Sequence, residues 1–320
     1  MPKKRKMLTD FLPVPESEAT FLNVEVLNNA KLRDLKVFIL PSYLQKVKVP
    51  GFDSGSAIRE LTSFARKVLD IVNSNLSNND KIAQLKVIFK PIHEISSLGL
   101  GYSKYSSKGH GPDYDYLIQI GKLLTRVIEK WKATGELDEL SFIKSMSLFV
   151  PHFGPDALSD LIASLIYPQL LDYTEFVLKK FGVQYSLSSN PEKVSGVKRQ
   201  EWDSFNKKWV ESSRQVVVKG VHLTLVPYKL LTSYTSSFDV TRYISVFLLK
   251  KLRENDKSID KAIKSFVRKE DFIKTIPNKK QYALDNTERE MSALTHFLQD
   301  SLNNGVGKAL SGPSAIKYPD

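Results

Sequence analysis

The sequence predicts an α+β protein, mostly helical, in a single domain with a small mixed or antiparallel sheet. Three observations predict this. Residues 56–74 carry Ile58, Leu61, Phe64, Ala65, Val68 and Ile71 at a 3.6-residue period, which makes an amphipathic helix. The run VVVKGVHLTLVPYKLL is rich in β-branched residues and broken at Gly220, which makes two short strands or a bulged ribbon. No internal repeat and no clean linker divides the chain, so one integrated domain is expected.

The elements follow in order. Residues 1–19 read as a basic arm, with Lys3, Lys4, Arg5 and Lys6 ahead of two prolines. FLNVEV to LKVFIL reads as a strand or short strand pair, punctuated by Asn28, Asn29 and Asp34. A helix over 80–90 stops at Pro91. Residues 96–115 are a long glycine- and serine-rich loop, and such loops are usually functional or mobile. A helix follows over 116–132. Pro155 or Asp156 opens the next, Pro168 kinks or restarts it, and Gly182 stops it. Residues 188–200 form a basic loop. Residues 240–254 and 285–302 are helical. The main domain spans 20–303, with at most a small C-terminal helical lobe over 240–303. The Gly-, Ser- and Pro-containing tail, 304–320, is expected to fray.

Composition narrows the classes of function. Apolar residues make up 42% and charged residues 26%, enough for a packed core and against general disorder. The chain has no cysteine, which excludes disulfides and cysteine-ligated zinc and fits a cytoplasmic setting. No apolar run approaches a membrane span, and the N-terminal stretch is not a secretory signal. Lys and Arg exceed Asp and Glu by 47 to 35, a formal charge of +12. Such an excess favours a polyanionic partner, nucleic acid above all.

One segment holds the residue types for chemistry. Phe149 to Asp160 reads FVPHFGPDALSD. Asp156 and Asp160 are four apart and so share one helix face. Two carboxylates at that spacing can hold Mg²⁺ or Mn²⁺, which would also relieve their mutual repulsion. His152, just outside the helix, can serve as a base. The alternative stays open that Asp156 only caps a helix and Asp160 is a solvated surface residue. In the glycine-rich loop, His110, Asp113 and Asp115 have a loose metal-like spacing.

Nucleic-acid contacts are expected from Lys104, Lys108 and His110 in that loop, and from Lys198, Arg199, Lys207, Lys208 and Lys219. Tyr102, Tyr105, Trp202 and Trp209 lie among them and can stack on bases. Trp202 and Trp209 are also seven apart, which suits the core face of a helix. The strand ending in Lys219 is reminiscent of metal-dependent nucleases that place an acid two residues before a lysine. Here that position is Val217, so the pattern is broken. Phosphate-binding loops, dinucleotide fingerprints, nucleophile elbows and HExxH are absent.

VFILPSYL, SSKGHG, LFVPHFGPDALSDLIASLI, HLTLVPYKLL and RKEDFIKTIPNKKQYAL occur in this order. Together they resemble a group of bacterial proteins found among restriction and phage-defence genes, whose central motif reads GPDRISD. Gly154, Pro155, Asp156, Ser159 and Asp160 match that motif, and Ala157 and Leu158 depart from it. The resemblance implies an anti-phage setting and a protein partner from the same system. It implies no mechanism. Two readings follow: a nuclease dependent on Mg²⁺ or Mn²⁺ at Asp156 and Asp160, or a non-catalytic nucleic-acid-binding or phage-sensing subunit.

Overall fold

The computed structural model describes residues 5–27, 31–100, 112–131, 138–189, 193–194, 197–212, 214–233, 239–266, 268–304 and 309–316. The architecture is α+β, dominated by helices, with small antiparallel sheets. Helices α1 (Leu8–Phe11), α2 (Pro41–Lys46), α3 (Ser54–Asn73), α4 (Asn78–Phe89), α5 (Tyr114–Trp131), α6 (Leu140–Phe149), α7 (Pro155–Leu165) and α8 (Tyr167–Lys180) build the first part. After the strands come α9 (Val240–Arg242), a π-helical segment (Tyr243–Leu248), α10 (Leu249–Asn255), α11 (Lys257–Lys264), α12 (Lys269–Lys274), α13 (Lys279–Arg289) and α14 (Met291–Asn304).

Helix α3 is the axis of the molecule. Asp53 caps it by accepting from the Ser56 amide at 3.0 Å. Leu61, Phe64, Ala65 and Val68 are fully buried and face α5 and α6, as the periodicity requires. Each large side chain buried this way contributes about 1.5–3 kcal/mol. Helix α8 stops at Gly182, whose φ of +64° closes a Schellman-type turn. There Val183 donates to the Leu178 carbonyl at 2.9 Å and Gly182 to the Lys179 carbonyl at 3.2 Å.

The strands are short. β1 (Phe38–Ile39) pairs antiparallel with β9 (Leu231–Thr232). β2 (Ser186–Ser188), β7 (Gln215–Val218) and β8 (Val221–His222) make a three-stranded sheet. β3 (Lys193–Val194) pairs with β4 (Val197–Lys198), and β5 (Gln200–Asp203) with β6 (Lys208–Glu211). Lys219 and Gly220, at φ +50° and +78°, make the tight turn between β7 and β8, where sequence placed the break.

Three expectations change. Trp202 and Trp209 lie on a hairpin, not a helix. They are direct cross-strand partners with ring centroids 5.4 Å apart, and both pack edge-to-face on Phe64. Their indole N–H groups donate to Ser63 Oγ and to the Ile88 carbonyl. The described part of the predicted arm is tied in: Leu8, Phe11, Leu12 and Val14 are buried, and Leu8 donates to the Val24 carbonyl at 2.8 Å. The described part of the tail is pinned as well. Leu310 donates to Leu231, the Pro313 carbonyl accepts from the Asn23 amide, and Asn23 Nδ2 donates to Ser314 Oγ. One apolar core runs from Leu8 to Leu310, so the helices after residue 240 belong to the same body. Among the described residues no helix is long and apolar enough to cross a membrane.

Candidate carboxylate site

The turn from α6 to α7 sets Asp156 and Asp160. Helix α6 ends at Phe149, and His152 takes a left-handed conformation at φ +58° to reverse the chain. Gly154 then precedes Pro155, which occupies the first position of α7, where its missing N–H costs nothing. Lys280 of α13 holds this turn from below. Its ammonium donates to the carbonyls of Ser147, Val150 and Phe153 at 2.9, 2.5 and 3.1 Å. These include carbonyls that the end of α6 leaves without helical partners. Burial pushes the Lys280 pKa down to about 8, so the ammonium form still prevails at neutral pH.

Two further stitches bring other segments to α7, and a third joins those segments to each other. The buried hydroxyl of Ser159 accepts from the Ile39 amide of β1 at 3.1 Å. Ser164 donates to the His93 carbonyl at 3.3 Å. Leu35 donates to the Gly99 carbonyl at 3.0 Å. Asp34 lies one residue before Leu35, and Glu94 one residue after His93. Both are thereby brought to the face of α7 that carries the two aspartates.

The charges of these acids act on one another. Burial first, and then the negative charges of Asp156, Glu94 and Asp34, raise the Asp160 pKa to about 7. Asp156 is raised by burial and then by Asp34. Glu94 is raised by burial and then by Asp34 and Asp156. Asp160 is half-buried, whereas Asp156 and Glu94 remain exposed at the rim. Among the described residues, no side-chain hydrogen bond or ion pair neutralises Asp156, Asp160 or Glu94. At neutral pH Asp160 therefore shares its position between protonated and ionised forms.

Arg199 borders the site. It is 5% exposed, its guanidinium lies 5.2 Å from the Tyr167 ring centroid, and it donates to the Glu94 carbonyl at 3.4 Å. The His93 imidazole is held below its ordinary pKa by burial and then by the charge of Arg199. The spacing of Asp156 and Asp160 thus marks one side of a four-carboxylate group. Asp34 and Glu94 have no local sequence signal, because they stand about 60 residues apart and meet only through tertiary contacts.

The other predicted residues are placed elsewhere. The His152 ring is exposed and makes no hydrogen bond or ion pair among the described residues. Lys219 donates to the Phe11 carbonyl at 2.7 Å and lies over the Phe11 ring. Lys198 pairs with Glu211 at 2.9 Å and Lys207 with Asp70 at 3.1 Å. Lys208 sits exposed on β6, opposite Asp203. Asp113 accepts from the Tyr116 amide at 3.3 Å and starts α5. Lys104, Lys108, His110, Tyr102 and Tyr105 lie outside the described residues.

Among the described residues, no three His, Cys, Asp or Glu side chains form a ready metal cage. A Mg²⁺ site does not require one, since that ion keeps several waters and is held by one or two carboxylates plus substrate phosphates. Asp156 and Asp160, an i, i+4 pair with raised pKa values and no neutralising partner, fit that requirement. No curated protein and no solved structure matches the chain. A family model does match residues 17–238, which contain all four carboxylates, and on that match the chain belongs to the family described as domain of unknown function DUF8370.

Proposed function

We propose that the protein is a nucleic-acid-directed phosphodiester hydrolase dependent on Mg²⁺ or Mn²⁺, with Asp156 and Asp160 as the cation-holding pair and Glu94 and Asp34 beside them. The observation that carries the reading is the carboxylate group itself. Holding four acids together without a neutralising partner for three of them costs stability, and a divalent cation would return it. When bound, such a cation polarises a phosphoryl oxygen and activates water. Asp156 and Asp160 would orient it, and the half-protonated Asp160 would release its proton as the cation arrives. Arg199, fixed on Tyr167, supplies positive charge at the edge of the site, where a phosphate would approach. The formal charge of +12 supports a polyanionic substrate. The anti-phage setting rests on the resemblance of the segment around Gly154–Asp160 and is part of the same proposal.

The same charge also supports a second reading, a binding subunit without catalysis, whose partner supplies the effector. One assay separates them. Purified protein is incubated with single- and double-stranded DNA and RNA, in Mg²⁺, Mn²⁺ or EDTA, beside Asp156→Asn and Asp160→Asn. Cation-dependent cleavage lost in both variants supports the hydrolase. Salt-sensitive binding without cleavage, unchanged in both variants, supports the binding subunit.

A further inference from the structure

We infer that a cleft in the C-terminal helices binds a small phosphate-bearing ligand, specifically a nucleoside phosphate. The cleft lies outside residues 17–238 and is independent of the carboxylate site. It has a volume of about 540 Å³, within the range of small-molecule sites. One wall comes from the π-helical segment and α10, the other from α11 and the start of α12.

Three observations converge there. The first is the π-helical segment, Tyr243–Leu248, whose Ser245 and Val246 line the cleft. A six-residue π segment is rare, and π turns are frequent at functional sites. Here it leaves Val246 46% exposed on the cleft wall, next to Leu249.

The second is the charge balance. Five charged residues line the cleft: Lys250, Arg253, Lys269, Glu254 and Asp260. Asp260 is already met by Arg253 at 2.8 Å and by Lys264 at 2.6 Å, and Glu254 by Lys251 at 3.2 Å. Lys250 and Lys269 have no carboxylate partner among the described residues. The charges of the acids are thus offset within the protein, and one lysine from each wall remains to attract an anion.

The third is the mixed lining. Two lysines on opposite walls suit a phosphate chain between them. The exposed face of Val246 suits a flat ring. The oxygens of Glu254 and Asp260 can accept from sugar hydroxyls or from an exocyclic amino group. An inorganic anion would use only the first of these features.

Isothermal titration of the full chain with ATP, inorganic triphosphate, adenosine and a single-stranded oligonucleotide tests this. ATP should bind, and inorganic triphosphate should bind at least about tenfold more weakly. Lys250→Ala combined with Lys269→Ala should weaken ATP at least about tenfold, with the near-ultraviolet circular dichroism unchanged. Val246→Ala should weaken ATP but not triphosphate. Asp160→Asn should leave ATP affinity unchanged, which separates this site from the hydrolase reading. Equal ATP affinity in the lysine double variant would overturn the inference, as would no binding of ATP. Equal affinity for ATP and triphosphate would overturn the nucleoside part. Lysine-dependent binding of the oligonucleotide alone would replace the small ligand with a nucleic-acid backbone.

Discussion

Two acidic groups in this molecule are built from the same side chains and come out opposite. Asp172, Glu175 and Glu201 surround Arg214. The Arg214 guanidinium donates to Glu175 at 2.7 Å and to Asp172, and Tyr185 donates to Glu175 at 3.1 Å. Ser212 donates to Glu201, and the charge of Arg214 offsets part of the burial that raises Glu201. There each acid has a charged or hydrogen-bonding partner inside the protein. At the carboxylate site every neighbouring charge that acts on Asp160 pushes its pKa further up. The difference teaches which acids are structural. A matched group has settled its electrostatics in the fold, while an unmatched one keeps a demand that only a proton or an outside cation can meet.

Substitutions can break this contrast. The largest effect is expected at the unmatched site: Asp156→Asn and Asp160→Asn should each lower cation-dependent cleavage by about a hundredfold or more, read as initial rates on a labelled substrate. At the matched site, Arg214→Met should leave the cation response intact but cost about 2 kcal/mol in urea denaturation, because the largely buried Glu175 would keep only Lys179 and Tyr185 as partners.

A third test uses pH. Asp160 has a folded pKa near 7 against an ordinary 3.8, so the folded protein holds its proton where the unfolded chain has lost it. The stabilisation this gives is full below pH 4 and is lost as pH rises through 7. Asp160→Asn removes that dependence. Its stability relative to the parent should therefore rise by about 2 kcal/mol between pH 4 and pH 8, after allowing for solvent screening. The cation should sharpen the same transition, since binding needs the ionised form and should strengthen as pH rises through 7. The smallest effect is expected from Lys280→Met. Losing three ammonium–carbonyl bonds is offset by no longer burying a charge, leaving a net cost of about 1 kcal/mol. A calorimetric midpoint would show it.

The parts of this structure that sequence makes legible are those set by local rules. The α3 stripe, the Pro155 start, the Gly182 stop and the Gly220 turn each follow from periodicity or from one residue's backbone preference. Spacing also put Asp156 and Asp160 on one helix face. It fails where two structures share a spacing. Residues seven apart meet on a helix, but they also meet across a hairpin with a four-residue turn, as Trp202 and Trp209 do. The stretch 285–302 reads as one helix, yet Glu290 breaks it between α13 and α14. Asp34 and Glu94 were not legible, because nothing local marks an acid that meets its neighbours only after α7 docks on β1. Composition misleads at the C-terminal end too, since it describes residues 309–316 without seeing Asn23.

That last contact has a consequence for the order in which the molecule can be completed. Asn23 and Ser314 are 291 positions apart, and the Asn23 amide waits on the Pro313 carbonyl. During synthesis the segment around Asn23 leaves the ribosome long before its partner exists. Its neighbours Phe21 and Leu22 wait as well, on Pro227 and Val226, which are also made far later, and leave a surface on which a chaperone could act. Contacts of such long range also slow folding, because the chain loses loop entropy before the contact returns anything. The residues that look most dispensable in the sequence are thus the ones that finish the fold.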